Sequence, residues 1–326
     1  MLAAFLTALL FSVSAICGHR TSRQIGGVEA NFWRVCLATV FLAIWAYSFG
    51  TGFKGDAFPI FVLSGLAGIG LGDTGFFQAL PRLGSRLTVL LSQCFLVLFA
   101  VVIEWLWLKT TLTVPELLCI AVILVGVVVV LAPSRQRNSN AGCRSADLPD
   151  DHLKMTPRQR VMGVLWSAVA ALGGALGAVL SRKAYAVAHA AGQHPDPGTT
   201  GYQRVVGGAI ALGVLLLIVK WRAAHAHGSV LEPKSFQVSL EKWRRIWPWV
   251  VVNSLAGQTI GVSCMQWALE NTPTGIVTAI ITTTPIVMLP LTRVFEGEKI
   301  TARSLIGGLI AVAGVIGLIF SQRISA

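Results

Sequence analysis

The chain has 326 residues, 54% of them hydrophobic and only 12% charged, with a mean hydropathy of +0.71. Soluble domains carry about a quarter charged residues, so this composition cannot coat a water-soluble fold and soluble enzyme classes are excluded. Lys and Arg number 26 against 14 Asp and Glu, a net charge of +12, but they lie in loops between apolar runs rather than on one folded face, which argues against a nucleic-acid partner.

A bilayer core of about 30 Å needs roughly 20 apolar residues in a helix. Ten runs of that order are bounded by charge, proline or glycine. They are Leu2 to Cys17, Asn31 to Phe49, Phe58 to Leu80, Leu87 to Leu108, Pro115 to Ala132, Val161 to Leu180, Gly201 to Val219, Ile246 to Leu269, Thr274 to Phe295 and Ala302 to Phe320. The first has no basic segment before it and no clear small-residue cleavage site, and reads as a span rather than a removable signal. Backbone groups in lipid must bond within their own segment, and the runs lack the short alternation of barrel strands. The expectation is an all-α integral membrane protein. Pro133 to Arg160 is polar and reads as a linker between halves. Lys220 to Arg245, with Trp221, Trp243 and six basic residues, reads either as a segment on the membrane surface or as a solvated loop. Of six cysteines, all but Cys143 lie inside apolar runs without metal or redox spacing, as small buried hydrophobes do.

The second half repeats the first. Phe32-Trp33-Arg34-Val35 meets Tyr202-Gln203-Arg204-Val205 at an offset of 170, and Gly68, Gly72, Ala79 and Leu80 meet Gly257, Gly261, Ala268 and Leu269 at 189. The difference falls in the longer loop after the seventh span. Residues 1–132 and 161–326 thus read as two five-helix units, and an odd number of spans forces the second to enter from the opposite side. Inverted repeats of this kind are a transporter's architecture.

Polar groups at bilayer depth are costly and are therefore the candidate functional residues. Asp73 stands mid-span in Gly68-Ile69-Gly70-Leu71-Gly72-Asp73-Thr74, and Val262 is its repeat counterpart. It can carry a coupling proton or bind a cationic group, since burial raises a carboxyl pKa; the structural alternative is pairing with an arginine across the bundle. Arg34 and Arg204, each early in its helix, can meet a carboxylate or phosphate, although snorkelling to the interface is the favoured reading. Thr259, Ser263, Gln266 and Glu270 make one stripe that must turn inward, with Trp267 beside it for stacking or packing. Gln78, Gln93, Gln258 and the run Thr282-Thr283-Thr284-Pro285 offer further inward hydrogen bonds. Glu104 reads as an interfacial charge, and Glu298 as a charge on the first turn of the last helix. Gly173/Gly177 and Gly257/Gly261 have small-xxx-small spacing, which indicates packing alone.

Trp267-Ala268-Leu269, Thr282-Thr283-Thr284-Pro285 and Phe295-Glu296-Gly297-Glu298-Lys299-Ile300-Thr301, followed by Gly307, Gly308 and Gly314, resemble the second repeat of the EamA family in the drug/metabolite transporter superfamily. The first repeat keeps Gln78-Ala79-Leu80 but has Leu96 near the family's proline and Lys109-Thr110-Thr111-Leu112-Thr113 in place of the glutamate turn. The resemblance implies secondary transport of a small organic solute, commonly export, through a cavity lined by helices one to four and six to nine. The expected location is the cytoplasmic membrane of a bacterium. The expected partners are a small-molecule solute, the bilayer and a proton as coupling ion, with no nucleic acid; monomer and homodimer both stay open. No cofactor or metal is expected, because motifs for ATP, zinc and an activated serine are absent. A carrier of a lipid-linked head group is the alternative. Gly70-Leu71-Gly72-Asp73 also resembles an intramembrane aspartyl protease motif, but no Tyr-Asp pair occurs in the chain to supply the second carboxylate. Orientation has two readings: one face holds 19 Lys and Arg against 5 on the other, which puts both termini outside, whereas the resemblance puts both inside.

Overall fold

The computed structural model describes residues 2–108, 113–131, 157–226, 240–284, 286–287, 291 and 302–325, and they contain no strand. The first repeat comprises α1 (Leu2–Ile25), α2 (Gly27–Ser48), α3 (Phe58–Gly65), a π-helical segment π1 (Leu66–Asp73), α4 (Thr74–Leu108) and α5 (Val114–Leu131). The second comprises α6 (Pro157–Ala190), α7 (Pro197–Ala226), α8 (Leu240–Asn253), π2 (Ser254–Gly261), α9 (Val262–Asn271), α10 (Thr274–Ile281) and α11 (Ala302–Ser325). One face of α7 leaves large apolar side chains exposed, among them Val214, Leu217 and Ile218. The interior holds many small residues such as Ala38, Ala171, Ala175 and Ala279 beside larger ones such as Phe61, Leu212 and Ile276. Lipid tails are as apolar as leucine, so close backbone approach rather than apolar burial holds such helices together.

The expected third and fourth spans form one uninterrupted helical run, yet the chain doubles back within it. Along α6, Gly163 lies against Leu83, Ala170 against Gly75 and Gly177 against Gly68. The direction then reverses: Leu96 lies against Gly174, and Glu104 reaches Arg182. The two legs therefore run antiparallel to each other and cross the membrane twice, with Pro81 near the turn where an interior proline bends a helix. The other boundaries differ modestly. Helix α6 begins at Pro157, inside the stretch read as linker, and α7 and α8 extend into the basic stretch from both sides. The remainder of those stretches, with Cys143, Pro285 and Glu298, lies outside the described residues.

The helix directions also establish the inversion. Gly163 starts its span beside Leu83, where the third span ends, while α1 starts from the opposite side, its Thr7 near Gly261 and its Gly18 near Asn253. We call the side of Leu2 and Ser325 the terminal face and the other the basic face. The first helix of each repeat crosses the π segment of the other. In α6, a Cβ on Gly173 would sit 2.5 Å from the Gly72 nitrogen and one on Gly177 2.7 Å from the Gly68 Cα. In α1, Ser14 and Phe11 lie against Gly257 and Gly261 of π2. The last helices of the repeats pair through Gly126 on Ala311 and Gly314 on Ile123. Helices α2 and α7 pack on each other through Val35, Ala38, Leu42, Val205 and Leu212.

The two π segments are each eight residues and start 188 residues apart, within one residue of the repeat offset. A π turn carries an extra residue per hydrogen-bonded loop and frequently marks a functional position. Here each one brings the glycine-lined backbone of its span against the opposite repeat.

Candidate functional site

Asp73 is the last residue of π1, and its carboxylate is the point where three elements meet. Arg34 of α2 places Nη2 2.6 Å from Asp73 Oδ2, and the same nitrogen donates to Asn31 Oδ1 at 2.7 Å. Gln258 of π2 donates from Nε2 to the same Asp73 oxygen at 3.3 Å. Arg34 and Asn31 are three residues apart, one face of a helix, so the amide steers the guanidinium across to π1. The pair is not sealed: the Asp73 side chain keeps 27% of its exposure and Arg34 13%.

A second cluster forms around Arg204 of α7, which is 5% exposed. Its Nη1 donates to Ser181 Oγ at 3.3 Å and to Gln266 Oε1 at 3.2 Å. Ser181 in turn shares a hydrogen bond of 2.7 Å with Ser64, whose hydroxyl also reaches the Gly177 carbonyl. The guanidinium lies over Gly68, where a Cβ would come within 2.6 Å of Nη2. Neither arginine snorkels. Both turn inward because the polar groups of the opposing helices, together with the glycines of π1, leave room for a guanidinium there.

The other sequence candidates divide. Gln266 faces Arg204, Ser263 lies against Gly201, and Glu270 meets His189 at 3.3 Å, so the stripe of α9 turns onto α6 and α7. Thr259 ends up in π2, with a buried hydroxyl that has no hydrogen-bond partner. Gln78 accepts from Arg82 one turn away at 3.0 Å, apart from the central cluster. Gln93 has a buried Oε1 without a partner. Thr282 donates back to the Thr278 carbonyl, as does Ser263 to Thr259, so both hydroxyls serve their own helices. Trp267 is half-exposed and makes no polar contact with either cluster among the described residues. Asn31, Ser64 and Ser181 were not singled out in the sequence. Asn31 and Arg34 at a spacing of three was the available signal; the serines carried none.

Glu104 corrects the interfacial reading. It is 2% exposed, pairs with Arg182 at 2.9 Å, and accepts the backbone N–H groups of Thr274 and Gly275 at 3.0 Å each. Those donors are the orphaned first turn of α10, whose positive dipole end favours a carboxylate. At the terminal face the loop after α2 is tied to the start of α7. Trp45 Nε1 donates to Asp196 at 2.9 Å, Gln193 accepts from the Asp56 backbone at 3.1 Å, and Gln203 donates to the Gly52 carbonyl at 2.8 Å. Among the described residues no group of His, Cys, Asp and Glu is placed to hold a metal ion.

Fold and site thus define a multi-pass membrane protein of two inverted repeats around a polar centre. The EamA-like transporter family matches residues 1–132 and 161–320, and the chain belongs to that family, whose members are transporters of the drug/metabolite transporter class. A solved structure described only as the crystal structure of a protein is similar in fold, with a TM-score of 0.70 at 15% identity. The similarity covers 100% of this chain and 98% of that one. No curated protein matches.

Proposed function

We propose that the protein is a secondary active transporter that moves a small organic metabolite by alternating access, the two halves rocking about the polar centre between π1 and π2. The solute is amino acid-like, nucleoside-like or drug-like, and the direction is export across a bacterial cytoplasmic membrane. The observation that carries this reading is the Arg34–Asp73 pair, an ion pair within the spans whose two side chains are only partly covered by the surrounding protein. A sealed pair would be structural. A partly open one exchanges its partner: a proton on Asp73 cancels the attraction and frees Arg34, and loss of the proton restores the pair. Those are two electrostatic states of one centre that a proton gradient can bias. Asp73, Arg34, Gln258, Arg204 and Gln266 line it in this reading, and Ser263 and Trp267 stand on the neighbouring turns of α9.

Counterflow tests the proposal. Proteoliposomes loaded with a mixed pool of amino acids, nucleosides and organic cations, read by mass spectrometry, are expected to exchange one solute class. Exchange of none, under gradients of either sign, would overturn it.

A further inference from the structure

The two repeats place an arginine at the eighth residue of α2 and the eighth residue of α7, but they treat its charge differently. In the first repeat Asp73 meets Arg34 at ion-pair distance. In the second repeat Val262, 4% exposed, stands where the repeat would put that carboxylate. Arg204 is left with two neutral oxygen acceptors, Ser181 and Gln266, and no carboxylate within ion-pair distance among the described residues. Asp73 acts on Arg204 only from farther off, while already engaged by Arg34. Among the described residues the buried carboxylates Glu104 and Glu116 are committed elsewhere, Glu104 to Arg182 and the α10 terminus and Glu116 to Thr113, and the half-buried Glu270 meets His189. The centre therefore holds, among the described residues, two guanidinium groups and one carboxylate.

The unfilled donors around the two arginines point the same way, with Gln258 Oε1 an unfilled acceptor at the Asp73 end of the centre. Arg204 Nε and Gln266 Nε2 are buried donors without a partner, and Arg34 Nε is a third. Gln266 is fully buried, so its amide does not reach bulk water for a substitute. Buried donors beside a guanidinium with no ion-pair partner among the described residues, with glycine backbone beneath, suit an oxyanion, which accepts several N–H bonds at once and supplies a negative charge at contact distance.

We propose that the transported solute carries a carboxylate or phosphate that seats on Arg204 and Gln266, in the place where the second repeat lacks the carboxylate of the first. This rests on the carrier reading above. A solute whose only charge is positive would add to the existing excess and is excluded from this seat.

Binding distinguishes this from transport itself. The full chain, purified in neutral detergent, is melted in the presence of N-acetyl amino acids and keto acids, each matched by its methyl ester or amide, and of phosphate monoesters, each matched by its parent alcohol. At least one anionic class is expected to raise the melting temperature while its neutral partners do not, and the two arms tell carboxylate from phosphate. Arg204→Gln is expected to weaken that binding by about 10- to 100-fold, and Arg204→Lys, which keeps the charge, to retain part of it. Equal stabilisation by neutral partners, no anion-dependent shift, a shift produced by anionic lipid alone, or undiminished binding in Arg204→Gln would each overturn the proposal. Counterflow of a purely cationic or neutral solute would overturn it too, and leave the carrier reading standing.

Discussion

Glu104 and Arg34 both sit near the ends of their spans, where a charged side chain ordinarily reaches the interface. Their partners lie on other helices, Asp73 at 39 residues from Arg34 and Thr274 at 170 from Glu104, so the pairings belong to the tertiary structure and nothing local announces them. Asp73 itself was legible, because a lone carboxylate amid glycines at bilayer depth needs a reason. The Glu104 contacts predict a large effect. Glu104→Ala leaves the Arg182 guanidinium and two backbone donors without their acceptor, at a cost of about 3–5 kcal/mol. Thermal unfolding in detergent checks it: the alanine variant melts well below wild type, and Glu104→Gln, which keeps one carbonyl acceptor, falls between them. Asp196 gives a pH prediction outside the membrane. Burial pushes its carboxyl up, but hydrogen bonds from Thr199, Trp45 and the backbone of Thr199 and Gly198 outweigh it and hold the group below its ordinary range. The folded state thus favours the ionised form. Its contribution is complete above the unfolded value, about 4, and is lost as pH falls through the lower folded value. Asp196→Asn should flatten that acid limb of the melting-temperature profile; an unchanged limb would refute the assignment.

At the scale of elements, hydropathy located the spans that the described residues cover, the ninth being described only in its first part, and the composition of the helix contacts explains why the glycine spacings were underrated. Gly173 and Gly177 looked like generic packing, yet they are the contact between α6 and π1. The π segments carry no hydropathy signature, since one extra residue in a turn leaves the apolar content unchanged. Only their glycines hinted at them. Gly177→Ala should separate α6 from π1 and cost about 1–3 kcal/mol, because its Cβ would meet the Gly68 and Ser64 backbone within 2.9 Å. Gly213→Ala is the matched control: its nearest neighbour, on Phe32, stands 4.0 Å away, so its melting temperature should stay at or above wild type. Since alanine is the better helix former, propensity alone would raise both melting temperatures; a Gly177→Ala variant that melts no lower than Gly213→Ala would contradict the close-approach assignment. The continuous helix from Thr74 to Leu108 was read as two spans with a loop between. The polar break after Leu80 marks the reversal between the two legs, which run in opposite directions along α6.

For the whole molecule, the odd number of spans per repeat gave the inversion directly from counting, and the contacts of α1 and α6 with opposite π segments agree with it. The asymmetry between repeats was visible as Asp73 opposite Val262, but its consequence for Arg204 needed the packing of α6, α7 and α9. The charge bias of 19 to 5 predicts that the basic face is cytoplasmic. In a cysteine-free background, Lys54→Cys should be labelled from outside intact cells by an impermeant maleimide and Arg244→Cys only after lysis; the reverse pattern would invert the orientation. The most direct test of the central claim is solute flux in proteoliposomes under an imposed pH gradient, comparing wild type with Asp73→Asn. The account predicts flux that follows the gradient in wild type, and gradient-independent exchange in a variant that remains folded and binds solute. Identical pH dependence in the two proteins would contradict it.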